Sequence, residues 1–481
     1  MFFNSIEFLL FFPVVTVLYF LLAHRYRWIM LLAASCVFYM AFIPAYILII
    51  FSLIIIDFTA GLLIEKSTRH KRLFLIISII ATCSVLVSFK YFNLFATTIH
   101  SLTHFSGLDY KQKVLSIILP LGLSYHTFQS LAYVIEVYRG NFKAEKNLGI
   151  YSLYVMFYPQ LVAGPIERPY NLLVQLKEKH DFDYDRFTSG IKLMAWGMFK
   201  KIVIADRLGK FVDQAFLDPS EYHNFATLIS LIFFFFQVYC DFSGYSDIAI
   251  GSARVMGFKL MRNFDRPFSS TSFTEYWNRW HISLSTWFRD YIFYSLPIGK
   301  KKKWYKSRIL INIMITFILM GFWHGAQWNY VLWGIIIGGY LVIEIITEKS
   351  RRKITESLGI DKHQRLKRMI SQITIFLLMT LTMPVFRANH LSDIPVIYAH
   401  LFSTFHLKNE ILFIMVWQTK AFHFFLIISL LLLENLQSRY NLVNWVGQKP
   451  IAFRWSLYLG LIFIILFLGV FNKNEFIYFQ F

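Results

Sequence analysis

Apolar residues run along this chain in blocks of about the length needed to cross hydrocarbon, roughly twenty residues as a helix. Such blocks cover 2–22, 28–43, 46–64, 73–92 and 114–138, and later 190–206, 224–240, 309–325, 328–346, 370–386, 421–436 and 455–471. The spacing predicts an all-α polytopic membrane protein with about 10–12 transmembrane helices. Basic loops at 24–27, 65–72 and 139–149 alternate with the turn near Pro44 and the stretch 93–113. That alternation puts the N-terminus outside and the basic loops in the cytoplasm, together with 348–368, which carries eight Lys or Arg against three acids. The first block has Glu7, no basic leader and no small-residue cleavage site, so it reads as a retained helix.

The pattern changes between residues 150 and 330. VMFYPQLVAGPIERP is punctuated by Pro159, Gly164, Pro165 and Pro169 and followed by Glu167 and Arg168 within the same stretch, which rules out a straight helix through lipid. QVYCDFSGYSDIAIG places Asp241, Ser243, Gly244, Ser246 and Asp247 just beyond four consecutive phenylalanines. Irregular backbone at membrane depth persists only where protein buries it or a wet cavity adjoins it. Both stretches therefore predict re-entrant or broken helices around an internal polar chamber and a central tunnel. No repeat or separate soluble domain is visible, so residues 1–481 read as one integrated domain with a motif-bearing core at about 115–335.

Composition agrees with the pattern: 57% of residues are hydrophobic and only 16% charged. A net charge of +20 would suggest nucleic acid in a soluble chain, but here the basic residues sit in short loops between apolar blocks, so no nucleic-acid partner is expected and membrane lipid is. Cys36, Cys83 and Cys240 lie far apart with no metal-ligand spacing, so neither a metal nor a bound cofactor is expected.

Two histidines stand out. His324 lies inside INIMITFILMGFWHGAQWNYVLWG, where an ionisable ring is a site hypothesis by default. Gly321 and Gly325 allow close approach there, and Trp323, Trp328, Phe322 and Asn329 offer an apolar pocket with polar handles. His281 lies in EYWNRWHISLSTWFRDY; as one helix over 275–293, this places Trp277, His281, Leu284, Phe288 and Tyr291 on one face, with Asn278, Arg279, Arg289 and Asp290 flanking. Such a helix suits the membrane interface. A lone histidine on an apolar helix is more often a packing element; two in one chain favour a site.

LPLGLSYHTFQSLAYVIEVYRG from Leu119, FYPQLVAGPIERP from Phe157, DFSGYSDIAIGSARVMGF from Asp241, EYWNRWHISLSTWFRDYIF from Glu275 and GFWHGAQWNYVLWG from Gly321 occur in one order over residues 115–335. Together with the terminal FIYFQF, they resemble the membrane-bound O-acyltransferase family, in its bacterial branch containing the alginate O-acetyltransferase membrane subunit. The resemblance implies that His324 is the catalytic residue and His281 a second functional position. Trp323, Asn278, Trp277 and Asn329 are the candidate substrate-binding residues around them. Where that branch has a glycine-rich turn, this chain reads YSLPIGKKKKWYKSR, a basic loop that is either cytoplasmic filler or a landing site for the phosphates of a thioester donor.

Acyl transfer from a thioester to a hydroxyl needs a base as the oxygen attacks, and imidazole, with an unperturbed pKa near ~6.5, suits that task. His324 is the candidate base; His281, Asn278 or a backbone amide at a helix break could stabilise the oxyanion. The resemblance further implies an acetyl-CoA-type thioester donor on the cytoplasmic side of a bacterial plasma membrane and an acceptor from the other side. It also implies a separate extracytoplasmic acetyltransferase partner that passes acetyl to a glycan, either an alginate-like exopolysaccharide or peptidoglycan. No GxSxG elbow occurs in the chain. D-alanylation of teichoic acid is the alternative chemistry, and a polytopic transporter with broken helices the alternative class.

Overall fold

The computed structural model describes residues 1–107, 120–217, 224–297, 305–403, 417–440, 442–471 and Phe476. Helices α1 (Ile6–Leu21), α2 (His24–Met40), α3 (Ile47–Lys66), α4 (Lys71–Leu86) and α5 (Phe92–Phe105) open the chain, with a π turn, Val87–Tyr91, joining α4 to α5. Then come α6 (Leu123–Arg139), α7 (Leu148–Met156), α8 (Pro169–Gln175), α9 (Tyr184–Met198), a π turn at Phe199–Ala205, α10 (Asp206–Leu217) and α11 (Asn224–Met256). The remainder forms α12 (Phe273–Trp277), α13 (Ile282–Tyr291), α14 (Tyr305–His324), α15 (Trp328–Ser357), α16 (Gln364–Leu381), α17 (Met383–Arg387), α18 (Asp393–Leu401), α19 (Trp417–Arg439), α20 (Leu442–Gly447) and α21 (Ile451–Leu468). No strand occurs among the described residues. Eight described helical runs are long and apolar enough to cross a membrane; the apolar α1 is shorter. The protein is an all-α polytopic membrane protein, as its hydropathy predicts.

Packing ranks these helices by depth in the protein. The apolar window of α11 is 78% buried, whereas none of the corresponding window of α21 is, so α11 is the central post and α21 presents its apolar surface outward. Glycine allows the central crossing. A Cβ on Gly244 would stand 2.6 Å from the carbonyl oxygen of Gly197, and one on Gly251 would stand 2.7 Å from that of Gly190. Two glycine pairs, each seven residues apart on α9 and α11, thus bring the two backbones into contact, as small residues do at membrane helix interfaces.

This corrects one expectation. Residues 237–251 do not break; they belong to a continuous 33-residue helix. Gly244 serves close packing, and the polar residues meet partners across the crossing. The Lys201 ammonium lies 2.6 Å from Asp241 Oδ1 and 2.8 Å from Asp206 Oδ1, while Lys200 contacts Asp247 Oδ2 at 2.7 Å and Ser243 Oγ at 2.9 Å. The block 190–206, expected as a plain crossing, is helical but carries these lysines inward on a fully buried π turn.

The stretch after α7 does leave the helix, as its prolines require. Several of its polar groups find partners inside the protein. Tyr158 N donates to Ser35 Oγ, Gln160 Nε2 to Tyr154 O, and Ile166 N to Ser283 Oγ on α13. Glu167 accepts from Asn171 Nδ2 and Met261 N, so its carboxylate braces the segment that leads to the second histidine motif.

Candidate active site

The second motif is not one helix. Helix α12 starts with a side-chain N-cap, in which Glu275 N donates to Ser272 Oγ, while the Glu275 carboxylate reaches back to accept from Thr271 N. It ends at Trp277, and α13 restarts at Ile282. Two backbone hydrogen bonds bracket the break: Asp265 N to Arg279 O at 2.9 Å and Ile282 N to Asn263 O at 2.8 Å. Between them His281 adopts φ 44° and ψ 52°, a left-handed conformation that costs a non-glycine residue about 1 kcal/mol or more. Fully buried Asn263 also accepts from Ser283 N and Ser283 Oγ through Oδ1. The expected single face over 275–293, and its placement at the interface, therefore give way to a strained, buried corner with His281 at its tip.

The corner aims His281 into an aromatic nest. Its ring meets Phe242 edge-on at 4.5 Å and Trp323 at 6.2 Å and 69°. Trp323 is the residue before His324, whose own ring lies 5.1 Å from the same indole at 71°. One buried tryptophan thus carries an imidazole from each motif, although the two are 43 residues apart in sequence. The indole is held by a stack, since Phe128 lies parallel to it at 5.3 Å and Trp287 parallel to Phe128 at 3.9 Å.

His324 is the last residue of α14 and is enclosed by Trp333 at 5.2 Å and Phe386 at 5.6 Å. It forms part of the wall of a cavity of about 20 Å³ together with Tyr276, Trp280, Met379 and Met383. That volume holds about one water molecule. Two methionines in its wall give it adaptable packing, which allows enlargement around a ligand.

The other sequence candidates are placed differently. Trp277 packs on Phe317 at 5.2 Å and Trp333 at 6.0 Å, one ring removed from His324. Asn329 is buried and donates to Ala388 O at 2.9 Å, fastening the segment that bears Phe386. Asn278 is exposed at the end of α12, so it lies outside the buried nest. Trp280, Trp333, Phe386 and Met379 line the cavity without having been singled out by sequence.

A second recess is larger and charged. About 730 Å³ in volume, it is bordered by Arg266, Arg279, Arg365, Arg368 and Arg439, with Glu434 among them. A thin aromatic partition separates it from the cavity. Phe268 borders the recess and packs at 5.1 Å against Phe235 of the cavity wall, while Arg279 and Trp280, adjacent in sequence, face one space each. Helix α16 passes both, contributing Arg365, Arg368 and Gln372 to the recess and Met379 to the cavity. At a rise of 1.5 Å per residue, the eleven residues from Arg368 to Met379 span roughly 16 Å. The lysine run 300–303 lies outside the described residues.

This arrangement of motifs matches known proteins. The model of the membrane-bound O-acyltransferase family matches residues 146–386. The chain is 36% identical, over 407 residues, to a probable alginate O-acetylase AlgI of Pseudomonas aeruginosa, covering 84% of this chain and 75% of that protein. The chain belongs to the membrane-bound O-acyltransferase family. As a member of that family it is an acyltransferase, and its two histidine motifs fall within the matched residues. It is also 30% identical over 394 residues to a peptidoglycan O-acetyltransferase of Helicobacter pylori, covering 76% of this chain and 71% of that protein. A teichoic acid D-alanyltransferase of Streptococcus thermophilus is 34% identical over 252 residues, 50% of this chain and 60% of that protein.

The nest brings together two imidazoles, a group able to receive a proton and a second polar ring on the same indole. Aromatic walls limit competing water. Phe476, from the terminal FIYFQF, is buried against Phe242 at 5.5 Å, so the end of the chain backs the ring that His281 touches.

Proposed function

We propose that this acyltransferase is a bacterial plasma-membrane O-acetyltransferase that moves acetyl from a cytoplasmic thioester donor towards an extracytoplasmic polysaccharide. An alginate-like exopolysaccharide or peptidoglycan is the final acceptor, reached through a partner acetyltransferase. The observation that carries the reading is the pair of imidazoles on one indole, with His324 at the cavity. An acceptor hydroxyl oxygen attacks the thioester carbonyl, and His324 takes the hydroxyl proton. The carbon–sulfur bond then breaks, the thiolate leaves and the proton returns to it. In this reading His281 stabilises the oxyanion.

The five-arginine recess supports a polyanionic donor, because guanidinium groups bind phosphates bidentately. Arg365 and Arg368 belong to the basic segment that the charge pattern expects in the cytoplasm, which supports a donor approaching from that face. D-alanyl transfer is the second reading, favoured by the Streptococcus relative over half the chain. Cells given radiolabelled acetate or radiolabelled D-alanine separate the two. Label from acetate in the polysaccharide fraction, lost in His324→Ala, supports acetyl transfer; label from alanine alone overturns it.

A further inference from the structure

We infer that Lys90 and Tyr91, on the π turn between α4 and α5, are positioning residues that set the orientation of His324. Neither belongs to the two histidine motifs, and both lie over 230 residues before the histidine they act on.

The inference starts from where α14 ends. The last carbonyls of a helix have no partner within it, and at membrane depth no bulk water replaces one. Here His324 occupies that last turn, so any freedom of its terminal carbonyls is freedom of the catalytic ring. All three final carbonyls are taken from the side. Tyr91 Oη donates to Phe322 O at 2.7 Å, and Lys90 Nζ donates to Trp323 O at 2.7 Å and to His324 O at 3.1 Å. A cation at a helix C-terminus also meets the negative end of the helix dipole.

Three features make this more than a generic cap. The Lys90 ammonium lies 5.8 Å from the centroid of the Trp323 ring, the same indole that bears both imidazoles. Tyr91 stacks on Phe322 at 4.2 Å and 10°, which fixes the backbone one step earlier. The π turn presents Lys90 and Tyr91 together in a helix that otherwise continues from Lys71 to Phe105. Such single wide turns recur at functional sites. Beyond the histidine, Trp328 Nε1 donates to Thr98 Oγ1 at 3.1 Å, so the same helical run grips both sides of the Gly325 turn.

This rests on His324 being the base, and the test separates the two. Inverted membrane vesicles from the source cell, carrying each variant in place of the native chain, receive radiolabelled acetyl-coenzyme A. Initial rates of label transfer are then measured against its concentration and normalised to the folded protein in the vesicles. Lys90→Met keeps chain length and loses the donor; we expect kcat to fall about ten- to hundred-fold with KM within about two-fold, the size of loss that misplacing a reacting group produces. Lys90→Arg restores at least a third of the native kcat. Tyr91→Phe, which keeps the stack and removes the hydroxyl, falls a few-fold and carries the test should Lys90→Met fail to insert. If Lys90→Met, or Tyr91→Phe in its place, turns over at the native rate per folded molecule, or if arginine fails to rescue, the inference is overturned. His324→Ala at the native rate would instead remove the catalytic reading beneath it.

Discussion

Lys201 offers the sharpest test of how this fold tolerates charge at its centre. Its side chain is 3% exposed and is held between Asp241 and Asp206, whose side chains are 4% and 5% exposed. Replacing it with methionine keeps an unbranched side chain one atom shorter and leaves the two buried carboxylates without their cation. Removing one partner of a buried ion pair costs about 3–5 kcal/mol. That equals about two to four decades in the folded-to-unfolded ratio. The exposed pair Arg352–Glu356, with side chains 78% and 51% exposed, is the control, since solvent screens a surface pair and breaking it changes stability little. Unfolding of the purified protein in mixed detergent micelles, followed by tryptophan fluorescence, gives the comparison. Lys201→Met unfolds well before the native protein and Arg352→Met alongside it. Adding Asp206→Asn and Asp241→Asn to Lys201→Met recovers most of the loss, because the uncompensated charges are gone. If Lys201→Met is as stable as Arg352→Met, or the triple variant is no better than the single, the charges are not coupled as described.

Gly244→Val places a branched side chain where a Cβ already meets Gly197 O at 2.6 Å, so it destabilises by about 1–3 kcal/mol in the same assay, whereas Gly460→Val, with nothing within 4 Å, does not. Arg365→Glu with Arg368→Glu reverses two charges at the recess; the apparent KM for acetyl-coenzyme A in vesicles rises at least ten-fold, and the effect shrinks as salt is raised. His281→Gly keeps the left-handed corner and removes the ring, so the variant still folds and reaches the membrane while acetyl transfer per folded molecule falls at least a hundred-fold, the size of loss seen on removing an oxyanion donor.

The hydropathy pattern carried the fold class directly, because lipid imposes one rule on every spanning segment. What it could not carry was the meaning of polar residues within those segments. Gly244 reads as an interruption, yet the glycine opposite it on α9 turns that signal into close packing, and this pairing is three-dimensional information. The prolines after Met156 were legible as a break because proline acts locally, through its own ring and its missing N–H. For the site, chemical type drew attention to His324 and His281 and the family resemblance raised them above packing residues, but the break at His281 depends on Asn263 and Asp265, eighteen and sixteen residues earlier. Asn278 reads as a flanking residue beside the histidine stripe, and the break in the helix leaves it exposed outside the nest. Lys90 was within reach of sequence reasoning: it is an ionisable residue inside the block 73–92, and the rule that selects His324 selects it too. The arginine recess was not, since its members come from three separate stretches of chain.

The central claim is that His324 does chemistry on an acyl group and is more than part of an aromatic core. Its most direct test is the acetyl content of the cell-surface polysaccharide in cells whose only copy of this protein is His324→Ala, with the membrane abundance and detergent melting of the variant measured alongside. The account predicts native abundance and stability with acetylation reduced to background. Native acetylation by the well-folded variant would contradict it.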